Sequence, residues 1–211
     1  MKLKSSIFIF SLFLVLEACQ KKIDVENKPG TPSTYIDPGT TGKVQGVGIE
    51  SQDIISMTDQ IMRDMLSSPR LAGRATPARV IIDAEYFINE GTNRINKNII
   101  TDRLRVELNR AAQGRMIFVG RQYAEMVDQE RNLKREGAVT PGTKGQAGAP
   151  LGADFRLGGR IASQDKLDTK TGMAERYTYI TFEMVDLETS EIVWSGSYEF
   201  AKAAQDDVIY R

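Results

Sequence analysis

The sequence predicts a mixed α/β domain in which helices pack on a single sheet. Three observations predict it. From Tyr177 to Val185 the residues alternate, with Ile180, Phe182 and Met184 on one side and Thr181 and Glu183 on the other. Such alternation marks a strand with one buried face. Ile192–Phe200 repeats the pattern, with Ile192, Trp194, Tyr198 and Phe200 opposite Ser195, Ser197 and Glu199. Upstream, apolar residues recur at helical spacing in two long stretches, and these must cover the apolar face of the strands.

Met1–Ala18 reads as a targeting segment. Lys2 and Lys4 precede an apolar run from Ile7 to Leu16 that only Ser11 interrupts. The run is too short to cross a bilayer as a helix and suits a signal-peptide core. It ends Leu16-Glu17-Ala18-Cys19, which resembles a bacterial lipobox and makes Cys19 the candidate lipidation site. Glu17 fits that pattern poorly, and the other reading is a secreted protein with a stray cysteine. Gln20 after the cysteine, by resemblance to enteric lipoproteins, implies the outer membrane. Each acyl CH₂ buried there contributes about 0.8 kcal/mol.

Residues 19–43 read as a tether. Pro29, Pro32 and Pro38 alternate with Gly30, Gly39 and Gly42, and the few apolar residues show no period. Such a segment cannot offset the entropy of its own ordering. Fully extended it spans about 90 Å; as a flexible coil it spans roughly 30 Å. Residues 44–211 are expected to be the globular domain.

Val44–Gly48 is a short edge strand or a cap. Ser51 opens the first helix, with Asp53 near its positive end and Ile54, Thr58, Ile61 and Met65 on one face. Its methionines suit core packing or an adaptable binding surface. Ser67-Ser68-Pro69 stops it, and a basic loop follows. Arg79–Ile88 is dense enough in apolar residues to be a central strand. Asn89 reads as a turn residue and Asn93 as the N-cap of a second helix over 93–113, closed by Gly114. Met116–Val119 is a short strand. Gly120–Glu136 is a third helix, rich in charge, whose apolar side (Tyr123, Met126, Val127, Leu133) is narrow. Gly137–Pro150 is a low-complexity loop of the length that is often functional or disordered. Asp154–Ser163 begins a three-stranded meander, which the two alternating runs complete through a polar turn at 186–191. The tail after Phe200 begins as strand.

The composition excludes several functions. The chain has 28 basic and 28 acidic residues, and 26 against 27 once Met1–Ala18 is removed. A near-neutral chain gives no reason to expect nucleic acid as partner. There is no histidine, so the commonest general base and transition-metal ligand is missing. Cys19 is the single cysteine, which rules out an intrachain disulfide or a thiolate cluster. No catalytic residue, metal ligand or cofactor is therefore expected, and the chain is not read as an enzyme. Asp83 and Glu85 share a strand face and form either a carboxylate dyad or, more simply, partners for an arginine. Gly158-Gly159 lacks the surroundings of a phosphate loop and suits close packing or a bulge. Trp194 belongs in the core, with one partner for its indole N–H.

Leu151-Gly-Ala-Asp-Phe155, then Gly159-Arg-Ile161, then Asp186-Leu-x-Thr189 with Ile192-Val-Trp-Ser195 after it, resembles the LpoB family from about Gly46 to Phe200. Ser190 stands where that family usually has glycine, which a different turn type would accommodate. The resemblance implies a fold shared with LpoB and the N-terminal domain of TolB. It also implies a non-catalytic outer-membrane lipoprotein, on the periplasmic face, that activates a bifunctional penicillin-binding protein. The family's docking residues are not legible in these motifs. The candidates are the 137–150 loop and Arg131, Lys134 and Arg135, whose plainer reading is a solvated helix face. The alternative function is a structural or secretion-linked lipoprotein of the curli-export kind. That reading needs an extra pair of long alternating strands, and the sequence shows none.

Overall fold

The computed structural model describes residues 30, 32–42, 46–144 and 149–205. Cys19, the targeting segment, Val44 and the end of the tail lie outside the described residues. From Ile36 onward the described residues form one compact unit.

The meander is the longest feature. β4 (Phe155–Asp168) and β5 (Met173–Asp186) pair antiparallel along their whole length, and β6 (Ile192–Gln205) lies on the other side of β5. Thr178, Ile180, Phe182 and Met184 are buried, as the alternation predicts. The expected face of β6 needs one correction. Met184 is opposite Trp194 while Val185 is opposite Ile192, so Val193 is an extra residue. This bulge buries Val193 and Trp194 together and turns Ile192 out to 50% exposure.

The expected strand 79–88 is two strands. β1 (Ala78–Ile81) and β2 (Phe87–Asn89) follow one another along the same edge of β4, both parallel to it. Ile81 pairs with Arg156 and Phe87 with Gly159. The first chain therefore uses more residues than β4 over the same span, and the excess loops out at Asp83–Tyr86. β3 (Met116–Phe118) pairs parallel with the other side of β1, so the order is β3-β1-β4-β5-β6 with β2 beside β4.

Two helices cover one face. α1 (Ser51–Ser67) starts at Glu50, whose backbone N–H donates to Asp53 at 2.7 Å. The Glu50 side chain also receives the Gly46 N–H, so the described part of 44–48 serves as a cap. α1 buries Met57, Thr58, Ile61 and Met65, which places Met57 and Met65 in the core. α2 (Lys97–Ala111) begins later than expected. Asn96, whose side chain accepts the Asn98 N–H, is its N-cap. The backbone carbonyl of Asn93 instead receives the Asn89 side-chain amide at 2.8 Å. Ile100, Leu104 and Leu108 of α2 are fully buried. Leu71, in the loop after α1, joins them with Phe87, Phe155, Leu157 and Phe182 in one core.

Within the meander, Trp194 lies over Gly196, where an added Cβ would come within 2.7 Å of the indole. Its N–H donates to Asp64 of α1 at 3.1 Å, the partner its burial requires. Farther along the same face the apolar core gives way to charge. Lys202 reaches Asp53 at 2.6 Å and Glu50 at 3.5 Å, and Arg176 holds Asp165 through two hydrogen bonds. This row ties the first turn of α1 to β6 where apolar cover runs out.

Candidate docking surface

Two features stand outside the core and its covering. The first surrounds Arg156, whose side chain leaves β4 on the face away from α1 and α2. It binds both oxygens of Asp83, at 2.8 and 3.1 Å, and Glu85 as well. Its guanidinium also lies over the ring of Tyr86, 4.6 Å from the centroid. Burial disfavours its charge, yet Glu85 and Asp83 together outweigh that and hold it above its ordinary value. The looped-out residues between β1 and β2 are thus gathered on one cation. Asp83 and Glu85 are thus partners for one arginine, which both of them engage. The sequence names the acids, but β4 has two arginines, Arg156 and Arg160, and only the register selects Arg156.

A cleft of about 470 Å³ opens beside them, lined by Asp83, Glu85, Lys97, Asn98, Arg121 and Gln122. Its charges are mixed, and half of them already face Arg156. Among the described residues, none lining it is a cysteine, serine or histidine that could act as a nucleophile or base.

The second feature is α3 (Ala124–Glu136), entered through a 3₁₀ turn at Arg121–Tyr123. Gly137, at φ +77°, ends it, and the Ala138 N–H donates to Leu133 at 3.0 Å. Arg121 donates to the carbonyl of Leu151, which ties the turn before α3 to the chain after the 137–150 loop. α3 has no buried residue. Tyr123, Met126, Val127 and Leu133 are between 40% and 62% exposed, although their spacing places them on one stripe. Apart from the turn before it, no described element packs extensively along this helix. The expected narrow apolar side is present, and it too faces outward.

The basic candidates sit within or beside that stripe. Lys134 is four residues from Glu130 and pairs with it at 3.6 Å. Arg135 donates to Asn132 at 3.4 Å, and Arg131 is half-buried. At 100° per residue Arg131 and Arg135 lie along one side of the apolar stripe, while Lys134 falls within it beside Glu130. In the 137–150 loop, Pro141–Thr143 form a 3₁₀ turn, and residues 145–148 lie outside the described residues.

The residues that carry the family resemblance have structural work. Asp154 receives the backbone N–H of Arg79 at 2.9 Å and its guanidinium, and so fixes the start of β4 against β1. The Arg79 side chain, first of all through its hydrogen bond, holds the Asp154 carboxyl below the usual carboxylate range. Gly159 lies under Phe87, where a Cβ would come within 2.2 Å of the ring. Asp186 receives the backbone N–H groups of Thr189 and Glu188, each at 2.9 Å, which depresses its pKa. None of these residues lies on α3.

The family model for the peptidoglycan-synthase activator LpoB matches residues 53–200, from the first turn of α1 to β6. The chain belongs to the LpoB family. It is a peptidoglycan-synthase activator of that family, and the family acts without catalysis of its own. Solved structures similar to this LpoB-family chain include the LpoB C-terminal domain from Salmonella enterica. That match has 17% identity and a TM-score of 0.37, and covers 68% of this chain and 94% of that one. The lipoprotein GNA1162 from Neisseria meningitidis is similar at 15% identity and a TM-score of 0.33, covering 63% and 88%. A PelC dodecamer from Paraburkholderia phytofirmans is similar at 18% and 0.30, covering 64% and 75%. No curated protein matches the sequence.

Proposed function

We propose that this activator is an outer-membrane lipoprotein, anchored through Cys19, that binds a bifunctional penicillin-binding protein with α3 as its docking element. The family match over residues 53–200 carries the activator part. The lipobox-like end of the apolar run supports the anchor, and the tether of residues 19–43 lets the domain reach from the membrane into the cell wall.

For the docking face, the support is α3 itself. An apolar stripe supplies contact area, and the basic residues within and beside it give orientation and faster encounter with an acidic surface. Activation by binding requires tighter contact with the active state of the synthase than with its resting state. No proton or group transfer by this chain is involved.

The test is binding and glycan-polymerisation assay with the bifunctional synthase of the same organism. The full chain should bind and stimulate, and Arg131→Glu with Lys134→Glu and Arg135→Glu should weaken both by about tenfold or more. If the full chain neither binds nor stimulates, the synthase assignment fails. If the triple variant acts like the parent, α3 is not the docking element. The anchor is tested separately: Cys19→Ala should abolish acyl labelling and release the protein from the membrane fraction.

A further inference from the structure

We infer that the end of the tether is a releasable strap: Pro38 and Thr41 clip it to the first turn of α1, and their release lengthens the reach of the domain. The compact unit begins at Ile36, so the last part of the 19–43 segment belongs to the domain. Asp37 starts a turn there. Its carboxylate accepts the Gly39 N–H at 2.9 Å, and its carbonyl accepts the N–H and the hydroxyl of Thr40. Two bonds join this turn to α1. The Ser51 hydroxyl donates to the Pro38 carbonyl at 2.8 Å, and the Thr41 hydroxyl donates to the Gln52 side chain at 3.2 Å.

The chain is held a second time at Gly46, whose N–H donates to the Glu50 side chain at 3.0 Å. Glu50 and Ser51 are neighbours, so Pro38 and Gly46 are fastened at nearly the same place. The eight residues from one to the other therefore gain almost no distance.

The two fastenings differ in strength. At Gly46 the bond is half-buried, Glu50 is also paired with Lys202, and Val47 beside it is buried. At Pro38 and Thr41 both bonds join exposed groups, where water competes for each. Ile36 is 59% exposed, so little apolar burial reinforces that end. Tension along the chain breaks the Pro38 end first and stops at Gly46. Extended chain spans about 3.3–3.6 Å per residue, so release adds up to about 25–30 Å. The use of this length rests on the anchoring reading above: a domain held at the membrane gains reach toward a synthase in the wall.

Pulling single molecules tests the strap without lipid or synthase. The unlipidated full chain carries one handle on Cys19, its single cysteine, and the other on Glu188→Cys in the 186–191 turn. The expected result is a reversible gain of about 25–30 Å at a lower force than domain unfolding. Ser51→Ala with Gln52→Ala should remove that step. The main unfolding event should keep its length in the variant, which shows that the domain still folds. A parent chain without the low-force step would overturn the inference, as would a variant that keeps it. Anchoring is read separately from acyl labelling of Cys19, so the two readings fail independently.

Discussion

Ser190 occupies in one hairpin the place that Gly172 occupies in the other. Each follows an aspartate by four residues, Asp186 and Asp168, and each donates its N–H to that aspartate's carbonyl, at 3.0 and 2.8 Å. Their φ angles are +61° and +70°. The two turns therefore close in the same way, with serine at the position that glycine holds in the other. The aspartate and the closing pair Asp186–Glu191 hold the turn, and Ser190 takes the left-handed conformation that glycine adopts without strain. Ser190→Gly should stabilise the domain by about 0.5–1 kcal/mol, read as a higher urea midpoint at unchanged slope. Ser190→Val should lower the midpoint.

Adjacent glycines in β4 should respond very differently. A Cβ on Gly159 meets the Phe87 ring at 2.2 Å and the Thr181 carbonyl at 2.5 Å, so Gly159→Ala must push β2 off β4. A loss of about 3 kcal/mol is expected. Gly158 faces the other way, with its nearest neighbour at 3.6 Å, and Gly158→Ala should change stability by less than about 0.5 kcal/mol. Equal effects in thermal melts would show the register of β2 on β4 to be wrong.

Trp194 is the only tryptophan, so its fluorescence reports the α1–β6 contact directly. Trp194→Phe keeps an aromatic ring over Gly196 but removes the hydrogen bond to Asp64, and should cost about 1–2 kcal/mol. Asp64→Ala should cost less, because that carboxylate is exposed, and a double-mutant cycle should show the two effects overlapping.

Acid should destabilise the domain through particular pairs. Arg79 lowers the pKa of Asp154 and Arg176 lowers that of Asp165, in each case chiefly by a side-chain hydrogen bond. A carboxyl whose folded pKa is depressed stabilises the fold above its unfolded value, near 3.8. That stability is lost as pH falls through the lower, folded value. Urea midpoints measured from neutral pH to about pH 3 should fall most steeply at the acid end. Asp154→Asn should lower the midpoint at neutral pH and flatten the acid limb, while a parallel drop at every pH would exclude the linkage.

Lys202 should behave as a clasp. It is the cation beside Asp53 and Glu50, and its removal leaves two carboxylates facing each other at the start of α1. Lys202→Met should cost about 2–3 kcal/mol and speed hydrogen exchange in the first turn of α1 more than in α2.

Local sequence pattern was enough to locate most of the elements in order, though not the division of 79–88 into β1 and β2. Alternation reports which face of a strand is buried, because side chains in a strand point to opposite sides, and it located β5 and most of β6. Helical spacing located α1 and α2 for the same kind of reason. The motif residues Asp154, Gly159 and Asp186 were enough for the family, and the structure explains why they revealed no docking face: each holds a hairpin or a strand junction. What remained illegible depends on register and on contacts distant in sequence. Arg156 became the centre of Asp83, Glu85 and Tyr86 only because β1 and β2 share one edge of β4 with residues to spare. The bulge at Val193 shifted Ile192 to the outside, which no local pattern signals. The exposure of α3 was equally a tertiary outcome. Amphipathic spacing states that a helix has an apolar side, but only the positions of the other elements decide whether anything in the same chain covers it.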